Sequence, residues 1–363
     1  MNHENRSYLV YIGTYTHGAS EGIYVYSFNT RDGTMEHLYT TRGINNPSFL
    51  AVHPTAQYIY AVEEIDSVSQ TAAGMVHAYS IDNSSGELTN LNHQLSGGSL
   101  SCHLSIDQTG HYLLFANYGS GSVGMMPIKS DGSLGKISDF IQHKGSSVDV
   151  VRQQSPHPHS INVDPTNQYA FVPDLGLDEI ISYKLDLDNG KLVVNNTASL
   201  RTKPGSGPRH FDFHPSGKYA YVINEIDSTL TGFEFDSSDG TLKHVNTTST
   251  LPMEATGVSH CADVHTHPSG QFVYGSNRGH DSISIFKSNT QTGRLEFIGT
   301  ESTKGKIPRN FAIDPTGSYL LAANQDSDSV VIFRINLETG MLDATGHVTD
   351  VPSPVCLKFI PTR

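Results

Sequence analysis

The chain has 363 residues with a formal net charge of −13, 33 glycines, 17 prolines, 17 tyrosines and only 16% charged residues. This acidic balance excludes the clustered Lys and Arg of a nucleic-acid surface, and no stretch approaches the roughly 20 apolar residues that span a bilayer. No long Ala-, Leu-, Glu- and Lys-rich stretch shows a helical period, so the composition points to many short strands joined by tight turns.

In chain order, residues 1–7 are polar, and the first apolar run (Tyr8-Leu9-Val10-Tyr11-Ile12) is too short for a secretory signal. A cytoplasmic location is expected. Residues 8–13, 22–28 and 35–39 read as three strands. The turn Asp32-Gly33-Thr34-Met35 before the third strand is the first of seven of one kind. The others are Ser85-Gly86-Glu87-Leu88, Asp131-Gly132-Ser133-Leu134, Asn189-Gly190-Lys191-Leu192, Asp239-Gly240-Thr241-Leu242, Thr292-Gly293-Arg294-Leu295 and Thr339-Gly340-Met341-Leu342. Asp-Gly and Asn-Gly tolerate positive φ and mark hairpins.

A second element falls midway between these turns: His53-Pro54, Asp107-Gln108, Asp164-Pro165, His214-Pro215, His267-Pro268 and Asp314-Pro315. An alternating strand such as Phe211-Asp212-Phe213 precedes each. An aromatic strand such as Tyr219-Ala220-Tyr221-Val222-Ile223 follows. Each repeat thus holds four short strands, A to D, which is one propeller blade. The expectation is an all-β, seven-bladed β-propeller of four-stranded antiparallel blades, a single domain over residues 1–363. The N-terminal blade has only three strands, and residues 354–359 at the C-terminus supply the fourth, closing the ring.

Cys102, Cys261 and Cys356 are far apart and form no CxxC pair, so they read as free buried thiols.

Antiparallel strands sort the loops by parity. Both stereotyped turns fall on one face, the bottom. The start of strand A and the end of strand B fall on the other, the top. Ser48, Cys102, His159, Arg209, Ala262 and Arg309 stand six residues before the turn Pro or Gln108, followed by His103, His210, Asp263 and Asn310. The strand B ends carry Glu63-Glu64, Asn117-Tyr118, Asp174, Asn224-Glu225, Asn277-Arg278 and Asn324-Gln325. These groups are expected to ring the top of the central channel, a concave polar mouth.

At His157-Pro158-His159-Ser160, at Gly207-Pro208-Arg209-His210 with Asn224-Glu225, and at Ser276-Asn277-Arg278-Gly279-His280-Asp281-Ser282, the chain resembles the lactonase seven-bladed propeller family. That family includes bacterial propeller-type 6-phosphogluconolactonases and fungal carboxy-muconate cyclases. The resemblance runs from the Ile12-Gly13-Thr14-Tyr15-Thr16 region to Phe359. It implies a catalytic set of His159 (or His157, two residues away), Arg209, Glu225 and Arg278. His157, His210, Asn277, His103, Asn224 and Arg309 are expected to bind substrate.

It further implies a hydrolase that opens a sugar lactone, foremost 6-phospho-D-glucono-1,5-lactone in the pentose phosphate route. Arg209 and Arg278 suit an anionic group or a developing oxyanion, and Glu225 or His159 suits the base that activates water. A carboxy-muconate-type cyclase and a non-catalytic binding propeller are the alternatives. No cofactor and no metal are expected, since the histidines show no compact ligand spacing. A carboxylate and Asn set of Glu63, Asn117, Asp174 and Asn224 is the one calcium-like arrangement. The expected partner is a small anionic sugar lactone, with no nucleic acid and no membrane, on a monomer or small homo-oligomer.

Overall fold

The computed structural model describes residues 7–66, 74–82, 84–195 and 197–362, and these form seven antiparallel sheets around one axis. Residues 67–73 lie outside the described residues, as do residues 1–6.

Blade 1 joins Pro354–Pro361 to Ser7–Thr14, Gly22–Asn29 and Thr34–Arg42, with the C-terminal strand innermost. Its pairing with Ser7–Thr14 runs antiparallel from Tyr8 opposite Pro361 to Gly13 opposite Cys356, so the ring closes as the sequence predicts. The inner and second strands of the other blades are Leu50–Val52 with Tyr58–Glu63, Ser101–Ile106 with Tyr112–Asn117, and Asn162–Val163 with Tyr169–Asp174 for blades 2 to 4. Blades 5 to 7 use Pro208–Phe213 with Tyr219–Asn224, His260–Thr266 with Phe272–Arg278, and Pro308–Ile313 with Tyr319–Asn324. The single helical turn among the described residues is Gln325–Ser327.

The repeated turn glycines do two jobs. Gly293 has φ +68, and a Cβ there would sit 2.4 Å from the Tyr219 ring of the preceding blade. Gly340 repeats this against Phe272, at 2.4 Å. Glycine is therefore demanded by backbone conformation and by the neighbouring blade at once. The carbonyls of Gly86, Gly132 and Gly340 also accept bonds from buried Tyr11, Tyr60 and Tyr274 hydroxyls, each reaching across from the blade before.

The His/Asp-Pro turns form a matching girdle on the bottom face. His53, His214 and His267 bond through Nε2 to the carbonyls of Gly110, Gly270 and Gly317 in the next blade. Where Asp replaces His, its carboxylate caps its own turn instead, as Asp164 does for Gln168 N and Tyr169 N. Both turn types are structural. The top face is left for chemistry.

Candidate active site

The inner strands begin at the top face, and several begin with a β-bulge. The register shifts between Pro208 and His210 and between Pro308 and Asn310, so Arg209 and Arg309 are the bulged residues. A bulge re-aims the side chain it carries. Here it turns two guanidiniums into the channel mouth.

Glu225 follows the second strand of blade 5 and is met by three arginines. Arg209 Nε and Arg278 Nη2 each lie 2.9 Å from Oε2, and Arg152 Nη2 bonds Oε1. Arg209 also donates to the Ala262 carbonyl, and Arg278 to the Cys261 carbonyl at 2.9 Å. Burial alone raises the Glu225 pKa, but Arg278, Arg209 and Arg152 together hold it far below the ordinary carboxylate range. Burial and the crowding of Arg278 and Arg309 lower Arg209 to about 10.

Arg309 completes the positive set from blade 7. Its guanidinium lies 5.3 Å from the centre of the Tyr15 ring. The Tyr15 hydroxyl bonds Glu64 Oε2 at 3.1 Å, and Ser48 Oγ donates to the same oxygen. Burial opposes the Arg309 charge, yet Tyr15, Glu64 and Glu225 keep its pKa above the usual value. The mouth thus gathers four guanidiniums against three carboxylates, Glu225, Glu64 and Asp263, in a chain of net charge −13.

The histidines line the blade 3–4 side and the level below. The His159 ring packs edge-on to Tyr118 and to His210, with centroids 5.1 and 5.4 Å away. Burial, with Arg209 and His210 nearby, holds His159 well below its ordinary pKa, so it stands neutral with its basic nitrogen available. His157 stacks on Tyr118 at 4.5 Å and bonds the Tyr118 carbonyl through Nδ1 at 2.9 Å. His210 Nδ1 lies 2.7 Å from Asp263 Oδ1, and His265 and Asn310 hold the other Asp263 oxygen. Burial and Arg209 bring His210 down to about 4. His103 sits beside His210 and accepts the Ile161 amide, and burial lowers its pKa too.

Cys102 Sγ is 3.8 Å from His159 Nδ1, but burial and Glu64 push the thiol up to about 12. It is not a thiolate nucleophile.

The structure corrects two expectations. Glu225 is a poor general base, because both oxygens are engaged by guanidiniums. It orients the arginines instead. Asn224 and Asn277 do not face a substrate. Both are buried and spend their Nδ2 groups on structure, Asn224 on Thr229 and Thr231, Asn277 on Ser282 and on the Thr250 carbonyl of the preceding linker. Asn117 and Asn324 occupy the equivalent place and tie the top loops in the same manner. Of the calcium-like arrangement, Glu63 is held by His77 and Asn45, and Asp174 by His143 and two backbone amides. Among the described residues, no group of three His, Cys, Asp or Glu is arranged to hold a metal ion.

Two participants escaped the candidate set. Arg152 lies in the non-repeating linker 144–154 and meets Glu225 from 73 residues away, which no spacing argument could reach. Tyr15 stands inside the Ile-Gly-Thr-Tyr-Thr segment, and its place beside the ring-closing strand was the available signal.

Residues 9–359 match the family model described as lactonase, 7-bladed beta-propeller. A 6-phosphogluconolactonase of Bacillus subtilis is 38% identical over 353 residues, covering 97% of this chain and 98% of that protein. A second, of Formosa agariphila, is 39% identical over 309 residues, covering 84% and 86%. A solved structure of a Pseudomonas aeruginosa periplasmic gluconolactonase aligns with a TM-score of 0.93 at 32% identity, covering 98% of this chain and 100% of that one.

Proposed function

Because this chain belongs to the lactonase seven-bladed β-propeller family, we propose that its substrate is a phosphorylated sugar lactone, 6-phospho-D-glucono-1,5-lactone. The observation that carries this reading is the cluster of Arg152, Arg209, Arg278 and Arg309 at one mouth. Glu225, Glu64 and Asp263 still leave it with surplus positive charge, which favours an anionic substrate.

The chemistry follows from what each group has free. Arg209 and Arg278 are fixed by Glu225 and by backbone carbonyls, so they present preorganised N–H donors with little reorganisation. They suit the carbonyl oxygen as it becomes an oxyanion. Arg309, whose guanidinium lies over the Tyr15 ring and forms no ion pair among the described residues, is placed to share that task. Neutral His159 takes a proton from the attacking water. The proton returns to the ring oxygen as the C1–O bond breaks, and the new acid ionises.

Asp263 serves at one remove. Its bond to His210 Nδ1 fixes that ring's tautomer, with the ring centre 5.4 Å from that of His159. No covalent intermediate and no metal is invoked, since sugar δ-lactones hydrolyse readily. Relatives named 6-phosphogluconolactonase support the phosphorylated substrate, whereas the gluconolactonase structure favours the unphosphorylated one. A phosphorylated sugar does not cross membranes unaided, so this reading goes with a cytoplasmic enzyme. Rates on the two lactones, side by side, decide between them.

A further inference from the structure

Arg152 differs from the other arginines in how it reaches the mouth. They stand on strands, whereas Arg152 arrives on the linker 144–154 and crosses the top of blade 4 to Glu225 in blade 5. That linker is built to hold it. Asp149 Oδ1 accepts the amides of Val151 and Arg152 at 2.8 and 2.9 Å. Fully buried Gln153 bonds Asp149 N, Ser147 N (through its carbonyl) and the Leu175 carbonyl. Ser147 Oγ anchors the other end on Asp178 at 2.6 Å.

The side chain is 32% exposed, against 15% for Arg278 and 1% for Arg209. Arg152 is therefore the guanidinium of the Glu225 cluster at the solvent rim. A phosphate dianion is the most expensive part of a sugar phosphate to desolvate. It binds best where it stays near water while the carbonyl end enters the buried cations. Glu225 occupies one Nη2 proton of Arg152, and a guanidinium offers five in a planar fork.

We propose that Arg152 is the specificity residue of the site, binding the phosphate of the lactone at the rim while the buried arginines hold its carbonyl end. This rests on the lactonase reading and adds to it the means by which phosphorylated and unphosphorylated lactones are told apart. Tyr118, which stacks on His157, forms the wall beside that phosphate.

The test compares wild type with Arg152→Gln and Arg152→Lys on 6-phosphogluconolactone and on glucono-1,5-lactone, with inorganic phosphate titrated calorimetrically into each. In the Gln variant, kcat/KM for the phosphorylated lactone is expected to fall 30- to 100-fold, mainly through KM. Any loss shared with the unphosphorylated reaction reports the bracing of Glu225, so the expected result is a ratio of the two kcat/KM values that falls at least 10-fold, with the phosphate Kd rising at least 10-fold. Lys should fall between, keeping charge without the fork. Parallel loss on both lactones would show that Arg152 merely braces Glu225 and would overturn the proposal, as would no loss on either. Were wild type inactive on both lactones, the lactonase reading would fail, while equal phosphate affinity in wild type and Gln variant would still overturn the role of Arg152.

Discussion

Arg209 meets Glu225 side-on, Nε to Oε2 at 2.9 Å, with both side chains almost wholly buried. A buried carboxylate holding three guanidiniums is the keystone of the mouth, and removing one member of such a set strands the rest. Glu225→Gln is expected to cost about 3–5 kcal/mol of stability, and phosphate should restore part of the loss by neutralising the freed arginines. Chemical denaturation with and without phosphate measures both. An unchanged midpoint would show that the cluster carries no such strain.

The pH dependence follows from the depressed histidines. His159 remains neutral below its ordinary value of 6.5 because burial and Arg209 oppose its charge. The kcat/KM profile should therefore stay flat from about pH 8 to below pH 6, with no limb near 6.5. An acid limb centred at 6.5 would argue against His159 as the base.

Stability has the matching sign. His103, His159 and His210 bind protons more readily unfolded than folded, so stability is complete above pH 6.5 and falls as the pH drops below it. Each contributes at most about 1.4 kcal/mol per pH unit in that window. His265, raised by Asp263 against its burial, works in the opposite sense, losing its contribution as pH rises through its folded pKa. His210→Gln should flatten the acid side of the denaturation-midpoint profile.

Asn277 separates structure from chemistry. Its amide ties Ser282 and Thr250 and reaches no open surface. Asn277→Ala should lower stability by about 1–3 kcal/mol through unsatisfied partners while leaving KM within 2-fold. A large KM change at unchanged Tm would restore it as a substrate ligand.

Arg309 should behave in reverse. Its guanidinium rests on the Tyr15 face, a contact worth about 1–2 kcal/mol. Arg309→Gln should leave the fold intact yet reduce kcat/KM about 100-fold, the range seen when one oxyanion donor is lost. Steady-state kinetics and a melting curve on the same sample decide this.

The fold was legible because its code is local. Gly293 and His214 each satisfy a turn within a few residues, and the same demand recurs around the ring. Parity then placed Arg209, Glu225, Arg278, Arg309 and His159 on one face without any knowledge of their contacts. The failures share a cause. Asn224 and Asn277 looked like mouth ligands by position, although the recurrence of Asn at 117, 277 and 324 was itself a mark of architecture. Glu225 read as a base because its three partners come from different blades and linkers, and charge balance among them is a tertiary property. Arg152 sits outside the repeat, so nothing periodic pointed to it.

The central claim is that this mouth hydrolyses an anionic sugar lactone with its own side chains. The most direct measurement follows acid release on freshly made 6-phosphogluconolactone, for wild type and Arg309→Gln, with and without chelator. The account predicts turnover well above the spontaneous rate, unaffected by chelator and largely lost in the variant. Wild-type turnover no faster than the spontaneous reaction, or full activity in Arg309→Gln, would contradict it.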